Sequence, residues 1–581
     1  MDTIASNRKK LSYRFLEGLL GYITIVFLGI LILLAFVNPT ALSIFLIAYS
    51  FLMVFKTGLH GIYTIYTYKT LKRWDKLNWI ELLYNLENDK SKAYQTLENF
   101  AEKYRNQLDW HQRVTSDIKL LKANENTKFA DPNKVIQVPL FAVYNESVEV
   151  ISRSLKQIYN SKYNLENIFV FVSQEARVGE QETSQTFEKL AALEWINAYS
   201  VGETNLDTVY NGNHLELEYK EKIFDKIKYK KDKLTIIFTQ HPDGLIGEIK
   251  GKASNEDWGA RQASLFVKAK KIDPEIVVVT SLDADSKVGK NFFQMLAFRY
   301  CITPNRLSSG FQPLPVYANN FFNANMFPRL VAANTTIWYM IQSSLIDELH
   351  FFANYCVPLK VLQKVDFWNR EVIAEDSLLF AKCYVAYSGN FNVVPFYGTF
   401  EGDAVVGDDY FETILNQYKQ LQRWAWGGIE GFPYKFKKFF LDPEGSKIDL
   451  RKRLNMIRLE TMSHFFWATS PIVFSVVVFL PFILSDRVFR ESPVQNNLWL
   501  FSQYFAWLSF IFLAISSYIT FTFTAYRAHQ VTKGRWYNWF LVGLQWFISP
   551  MIFILWGPPA LDVQLRGILG KYLGYWVTPK K

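Results

Sequence analysis

An apolar run, Ile276-Val-Val-Val-Thr-Ser-Leu-Asp-Ala-Asp285, ends in two carboxylates one residue apart. β-Branched residues favour extended chain, so the run predicts a buried strand that delivers Asp283 and Asp285 to its carboxyl end. Along a strand such residues point to opposite faces, so both reach one site only if the strand has ended in a turn. Paired carboxylates suit a divalent cation, Mg2+ or Mn2+, and through it a phosphate group, because hard cations take oxygen ligands. Alone, the pair reads as a solvated strand end. Two further sets follow: Glu375-Asp376 and Gln420-Leu-Gln-Arg-Trp424. An acid pair also suits the start of a helix, where negative charge is favoured. The tryptophans at 424 and 426 also suit a helix lying at a membrane surface. In this order, between membrane-length apolar segments, the three sets point to a membrane enzyme handling a nucleotide diphosphate.

The elements that must position these residues are legible in the hydrophobic pattern. From about residue 135 the chain alternates apolar strands with helices: strands at 135–143, 168–172, 234–238 and from 276, and a helix at 148–159. That alternation predicts a mostly parallel sheet with helices on both faces, and such sheets bind ligands at the carboxyl ends of their strands. The stretch 195–232 is rich in lysine and glutamate and reads as a solvated insertion. Residues 69–132 are charged, with apolar residues at helical spacing, and predict surface helices without chemistry.

Residues 18–37 are uncharged and long enough to span a bilayer. Arg8, Lys9, Lys10 and Arg14 precede them and predict an N-terminus held inside. A second apolar stretch from 41 completes a hairpin, and no small-residue cleavage site marks a signal peptide. Further apolar segments lie at 465–484, 498–526 and 536–561, the last broken by Pro550, Pro558 and Pro559. Three full crossings would leave the C-terminus outside, against Arg566, Lys571, Lys580 and Lys581, so Pro550 is expected to divide the last segment into a re-entrant unit. The expected organisation is a transmembrane hairpin at 1–69, cytoplasmic helices at 70–132, the α/β domain at 133–440, transmembrane helices at 441–564 and an interfacial tail at 565–581.

The 581 residues exceed one compact core. The net charge of +10 fits anionic substrates or lipid headgroups, and lysines and arginines on the inner face of a membrane explain much of it. No nucleic acid is expected. The three cysteines have neither zinc nor disulfide spacing and are expected to be buried thiols.

The series Val143-Tyr-Asn-Glu146, Lys252-Ala-Ser-Asn255, Ser281-Leu-Asp-Ala-Asp285, Ala374-Glu-Asp376 and Gln420-Leu-Gln-Arg-Trp424, spread over about residues 135–435, resembles membrane-integrated family 2 glycosyltransferases. These include the cellulose, chitin and hyaluronan synthases. The resemblance implies an α/β domain of GT-A type set between transmembrane helices. It implies a donor pocket lined by Tyr144, Glu146 and Lys252, with Asp283 and Asp285 as diphosphate and metal carboxylates. Asp376, next to Glu375, would be the catalytic base; Arg423 would meet the diphosphate, and Gln420 and Trp424 the acceptor. The chemistry is coherent. Inversion at a sugar carbon needs a base opposite the leaving group. A planar guanidinium suits phosphate oxygens, and an indole offers a sugar an apolar face.

One departure matters: Val172-Ser-Gln-Glu175 stands where the family commonly has paired aspartates for the base, which weakens the inference of uracil. Tyr575-Trp-Val-Thr-Pro-Lys580 resembles the gating loop of processive synthases and marks Trp576, Thr578 and Lys580; Val531-Thr-Lys533 is a second, poorer candidate. The expected protein is therefore an inner-membrane, inverting, processive-type transferase. It would use a nucleotide-sugar donor, a UDP-sugar in the first instance, with a glycan or lipid-linked acceptor and membrane lipids as partners. Transfer of one sugar to a lipid carrier is the alternative within the same chemistry. A non-catalytic transport or receptor subunit is the alternative outside it.

Overall fold

The computed structural model describes residues 10–105, 108–125, 131–201, 208–211, 214–217, 224, 227–245, 247–532, 540 and 553–578. The chain divides into two compact units. One is built from Lys69–Pro315 and Leu345–Gly402, the other from Ile4–Tyr68, Val316–Ser344 and Asp403–Lys581.

The first unit holds the expected α/β domain. Its strands are β1 (Ile136–Val143), β2 (Phe169–Glu175), β3 (Ile196–Val201), β4 (Thr208–Asn211), β5 (His214–Leu217), β6 (Leu234–His241), β7 (Val277–Asp283), β8 (Lys287–Val288), β9 (Ser309–Val316), β10 (Tyr355–Pro358) and β11 (Asn392–Glu401). Nine of them form one mixed sheet in the order β3-β6-β2-β1-β7-β10-β9-β11-β8, and β4 and β5 form a separate antiparallel ribbon. The run β3-β6-β2-β1-β7 is parallel, while β10 is antiparallel to β7 and to β9. Val277 to Leu282 are all buried, as a central parallel strand covered on both faces requires. Register brings the carboxyl ends together: Ala142 pairs with Asp283, Val143 with Gln174, and Glu175 with His241.

The solvated reading of 195–232 is corrected at its start. Ile196–Val201 is an edge strand of the main sheet, parallel to β6. It follows the helix Glu180–Ala191 as the next strand of a strand-helix-strand unit. Its few apolar residues were outweighed by charged neighbours. The charged region before β1 is helical, as expected, at Trp79–Asn88, Lys90–Glu102 and Leu108–Ala123. Asp117 holds Arg299 through two 3.0 Å hydrogen bonds.

The helix Lys252–Ala269 fixes the functional edge. It packs on β1, β2 and β6. At Gly259 an added Cβ would stand 2.4 Å from Leu140 Cδ1 and 3.1 Å from Ser173 Cβ, so any larger residue must displace Leu140 and press on Ser173. Four residues earlier, Asn255 is buried. Its Nδ2 donates to the Val143 carbonyl at 3.0 Å and the Ser173 carbonyl at 2.9 Å, and its Oδ1 accepts from Ser173 Oγ at 2.6 Å. One side chain thus ties the ends of β1 and β2 to the helix that begins at Lys252.

The second unit is helical. Among the described residues, four helices are long and apolar enough to cross a membrane: Leu11–Val37, Pro39–Trp74, Leu450–Leu484 and Pro493–Thr524. Tyr49 Oη and Ser470 Oγ lie 2.7 Å apart, and Trp467 Nε1 donates to the Trp556 carbonyl at 3.0 Å. Most of the segment expected at 536–561, with Pro550, lies outside the described residues. Its end is the helix Phe553–Leu569, in which Pro558 and Pro559 are interior residues and not breaks. The stretch from 565, expected as a separate surface helix, continues this helix to Leu569.

Gly259→Val is expected to destabilise the first unit by about 1–3 kcal/mol through overpacking. Thermal unfolding of the purified full chain reads this directly, and an unchanged midpoint would refute the close approach.

Candidate active site

The strand carrying the first carboxylate pair ends in a turn, which was the condition for both acids to serve one site. Ser286 N donates to the Asp283 carbonyl at 2.9 Å. Asp283 N donates to Asn354 Oδ1 at 3.1 Å, Asn354 Nδ2 donates to Ser286 Oγ at 2.6 Å, and Ser154 Oγ donates to the Ala284 carbonyl at 2.8 Å. The turn is therefore held from two sides. The Asp283 side chain is 38% exposed, whereas Asp285 is buried.

Lys252 reaches this turn from its helix. Its Nζ lies 3.1 Å from Asp283 Oδ1, 3.2 Å from Glu375 Oε1 and 3.6 Å from Glu256 Oε1. Burial disfavours the ammonium, but Asp283, Glu256 and Glu375 outweigh it and hold the Lys252 pKa well above its ordinary value. Glu256 is the member that sequence reasoning missed. It is fully buried and accepts a hydrogen bond from Ser281 Oγ. Burial, with the charges of Glu375 and Asp283 adding to it, raises its carboxyl far above the usual range, although Lys252 opposes the shift. The signal was available only as an acid one helical turn after Lys252, a spacing that ordinarily marks a solvated pair.

Glu375 and Asp376 open the helix Glu375–Ala386, so the helix-start interpretation of these acids is true of their position. Their contacts go further. Glu375 pairs with Lys252, while Asp376 Oδ2 accepts from Ala353 N at 3.0 Å and Oδ1 from Ser377 N at 2.6 Å. Desolvation, then the charge of Glu375, lifts the Asp376 carboxyl to about 6. Ala353 itself has φ of 48°, a strained left-handed conformation for a residue with a Cβ.

At the end of β1, Glu146 turns back so that its Oε2 accepts from Tyr144 N at 2.7 Å, the bonding of an ordinary strand-to-helix turn. The Arg177 guanidinium lies 3.9 Å from the centre of the Tyr144 ring, and Gln174 Nε2 donates to the Tyr144 carbonyl at 3.3 Å.

The second unit holds the remaining expected residues. Gln420, Arg423 and Trp424 are half-buried on one helix, Tyr410–Phe436, at spacings that place them on one face. Arg423 makes a long contact of 3.5 Å to the Trp576 carbonyl and lies 5.9 Å from the Tyr575 ring centre. Lys419 Nζ is 5.4 Å from the Trp576 ring centre. Thr578 is buried; Lys580 lies outside the described residues. The expected site residues thus fall into two groups: Tyr144, Glu146, Lys252, Asp283, Asp285, Glu375 and Asp376 in the first unit, and Gln420, Arg423, Trp424, Trp576 and Thr578 in the second.

Residues 278–558 match the family described as Glycosyl transferase family group 2. The matched span contains Asp283, Asp285, Glu375, Asp376 and the Gln420 to Trp424 motif; the protein is a glycosyltransferase enzyme, and these residues form its family group 2 region. No curated protein matches the chain. Among solved structures it is similar to the mannosyltransferase PcManGT from Pyrobaculum calidifontis, in complex with GDP-Man and Mn2+, at 10% identity and a TM-score of 0.35, over 82% of this chain and 98% of that one. It is also similar to S. aureus TarS 1–349, at 10% identity and a TM-score of 0.31, over 75% and 92%. The complex of that protein with UDP-GlcNAc gives 14% identity and a TM-score of 0.28, over 64% and 91%.

Replacing Lys252 by Met removes a cation that three carboxylates face. At neutral pH the loss is expected to reach about 3–5 kcal/mol, the usual cost of breaking a buried pair. The defect should shrink as pH falls and the stranded carboxylates protonate. Equal thermal shifts for Lys252→Met at pH 5 and pH 8 would contradict this account.

Proposed function

We propose that this protein is a membrane-embedded inverting glycosyltransferase that takes its sugar from a nucleotide-diphosphate donor and extends a glycan. The observation that supports it best is the gathering of Lys252, Asp283, Glu375 and Asp376 at the carboxyl edge of β7 and β1. In this reading the catalytic domain and the N-terminal end lie on the cytoplasmic side of the inner membrane, in accord with Lys10 and Arg14 at the start of the first apolar helix.

Asp376 is the base. In its ionised form it takes the proton of the acceptor hydroxyl as that oxygen attacks the anomeric carbon. The bond from that carbon to the donor's diphosphate oxygen breaks, and the electron pair leaves with the nucleotide. Two backbone N–H groups orient the Asp376 carboxylate. Lys252, fixed between Asp283 and Glu375, presents an ammonium to the leaving diphosphate. Asp283 and Asp285 are the residues that would hold a Mg2+ or Mn2+ ion. The two offer carboxylate oxygens at one turn, the donor type a hard cation takes; no group of three metal-ligating side chains occurs among the described residues. When bound, such a cation would neutralise charge on the departing nucleotide.

Arg423 takes the diphosphate role, and Gln420 and Trp424 the acceptor role, that their motif implies. The meeting of Arg423 and Lys419 with Tyr575 and Trp576 supports a closing tail, and with it successive additions. Product length separates this from transfer of one sugar to a lipid carrier: a ladder of products supports polymerisation, and a single added sugar excludes it.

Asp376→Asn should keep nucleotide binding and membrane insertion while transfer falls by roughly 10²-fold or more. Because burial lifts this acid to about 6, the ionised base is the minor form below that pH, and wild-type kcat/KM should rise through an acid limb near pH 6. Near-normal transfer by Asp376→Asn would place the base elsewhere.

Asp283→Asn and Asp285→Asn should each insert normally and lose most turnover, measured as nucleotide release. An amide is a poor ligand for a hard cation. Full activity of both variants at saturating Mn2+ would remove the metal assignment.

A further inference from the structure

In the second unit, a spacer residue of the Gln420 to Trp424 motif has a partner that the mechanism leaves unused. Gln420, Arg423 and Trp424 are half-buried, whereas Gln422 between them is buried. Its Nε2 donates to Asp562 Oδ2 on the helix Phe553–Leu569. Tyr418, one turn before Gln422, also faces Asp562. Asp562 is held in turn by Arg566, whose Nε lies 3.3 Å from Oδ1 and 3.4 Å from Oδ2. Two turns after Gln422, on the same helix face, Ile429 meets Gly567. An added Cβ at Gly567 would stand 3.2 Å from Ile429 Cγ2 and 2.9 Å from the Glu17 carbonyl oxygen. The two helices are therefore packed closely at Gly567 and joined by a hydrogen bond at Asp562.

After Leu569 the chain reverses. Gly570 has φ of 72°, and Lys571 N donates back to the Arg566 carbonyl at 3.0 Å, the geometry of a glycine-ended helix. The tail then returns along the helix Tyr410–Phe436. The Tyr572 ring lies 5.6 Å from the Trp426 ring, and Trp576 reaches Arg423 and Lys419. The turn 418–423 is thus gripped from two sides, by Asp562 at 418 and 422 and by the returning tail at 419 and 423. Both grips belong to one continuous segment, 553–578. The rotation of the motif helix about its own axis, relative to that segment, decides where the Arg423 guanidinium stands.

We propose that Asp562 is a positioning residue for Arg423: through Gln422 it sets the rotation of the motif helix and so keeps the guanidinium in register with the tail. The inference rests on the role proposed above for the motif and adds what holds that motif in place. Apolar packing at Gly567 brings the helices together but is non-directional and leaves rotation open. A hydrogen bond has a required distance and angle, and it closes that freedom. A carboxylate suits the task because its two oxygens can accept from Gln422 and Arg566 at once. A bond to an ionised group is also stronger than one between neutral groups.

The test is nucleotide release by the purified full-length protein in detergent, with GDP-mannose and UDP-N-acetylglucosamine as donors and Mn2+ present. A trypsin time course beside it reads cleavage after the exposed Lys571. Asp562→Ala should lower kcat by about tenfold or more and leave the donor KM within about twofold, because misplacement is felt in the transition state. Asp562→Asn keeps an acceptor for Gln422 and should recover most of that loss. Gln422→Ala should match Asp562→Ala, and the double variant should be no worse than either, as contacting partners require. The alanine variants should also be cut faster at Lys571, with the same non-additivity, and this decides the question if neither donor turns over. Unchanged kcat and cleavage in Asp562→Ala, additive losses in the double variant, or an Asp562→Asn as defective as Asp562→Ala would each overturn the inference. Gln422→Ala carries the test if Asp562→Ala does not fold. Arg423→Ala at full kcat removes the motif role beneath the inference; a defective Arg423→Ala beside a normal Asp562→Ala removes the inference alone.

Discussion

One ammonium group organises the carboxyl edge of the sheet. Lys252 faces Asp283, Glu375 and Glu256 within 3.6 Å, and Asp376 follows Glu375 in the chain. Without that cation, three acids from three different elements would be held together against their mutual repulsion in a partly desolvated place. With it, the end of β7, the start of the helix Glu375–Ala386 and the start of the helix Lys252–Ala269 converge. Glu256, the most buried member, escapes part of the repulsion by favouring its neutral form. The rest of the first unit can be read as what holds Lys252 in place. Gly259 allows its helix to touch β1 and β2, and Asn255 bonds the carbonyls at their ends.

The antiparallel half of the sheet contributes as much as the parallel half. A mostly parallel sheet explains why Tyr144, Glu175, His241 and Asp283 end along one edge. The loop leading into β10 then supplies two adjacent residues that hold the two acids of the mechanism. Asn354 fixes the turn after Asp283, and the Ala353 N–H fixes Asp376. The left-handed backbone at Ala353 lets neighbouring groups serve both. Such strain persists only where the surroundings impose it, and here the surroundings are β7 on one side and the helix from Glu375 on the other.

Much of this was legible in the sequence, and the illegible parts share a cause. The buried strand at 277–283 and the helix at 148–159 were readable because their burial is expressed in side-chain type, a β-branched run in one and amphipathic spacing in the other. Cys301, Cys356 and Cys383 are buried thiols, as their spacing suggested. The edge strand at 196–201 was hidden because a strand paired on one side tolerates polar residues, and the charged chain around it dominates the local composition. Glu256 was hidden for the opposite reason. Its type signals solvent, and only tertiary packing reveals that its solvent is replaced by Lys252 and Ser281. Pro558 and Pro559 read as breaks, because proline lacks an N–H donor, yet they lie within one helix. No local pattern announces where packing tolerates the lost bonds.

The same electrostatics bears on how a donor would meet this edge. Carboxylates outnumber cations around Lys252, and Asp285 adds a further buried acid. On the proposed reading, a bare diphosphate approaching them would meet charges of its own sign. Binding therefore favours a donor that arrives with a divalent cation, because that exchanges repulsion for ligation by the very acids that would otherwise exclude it.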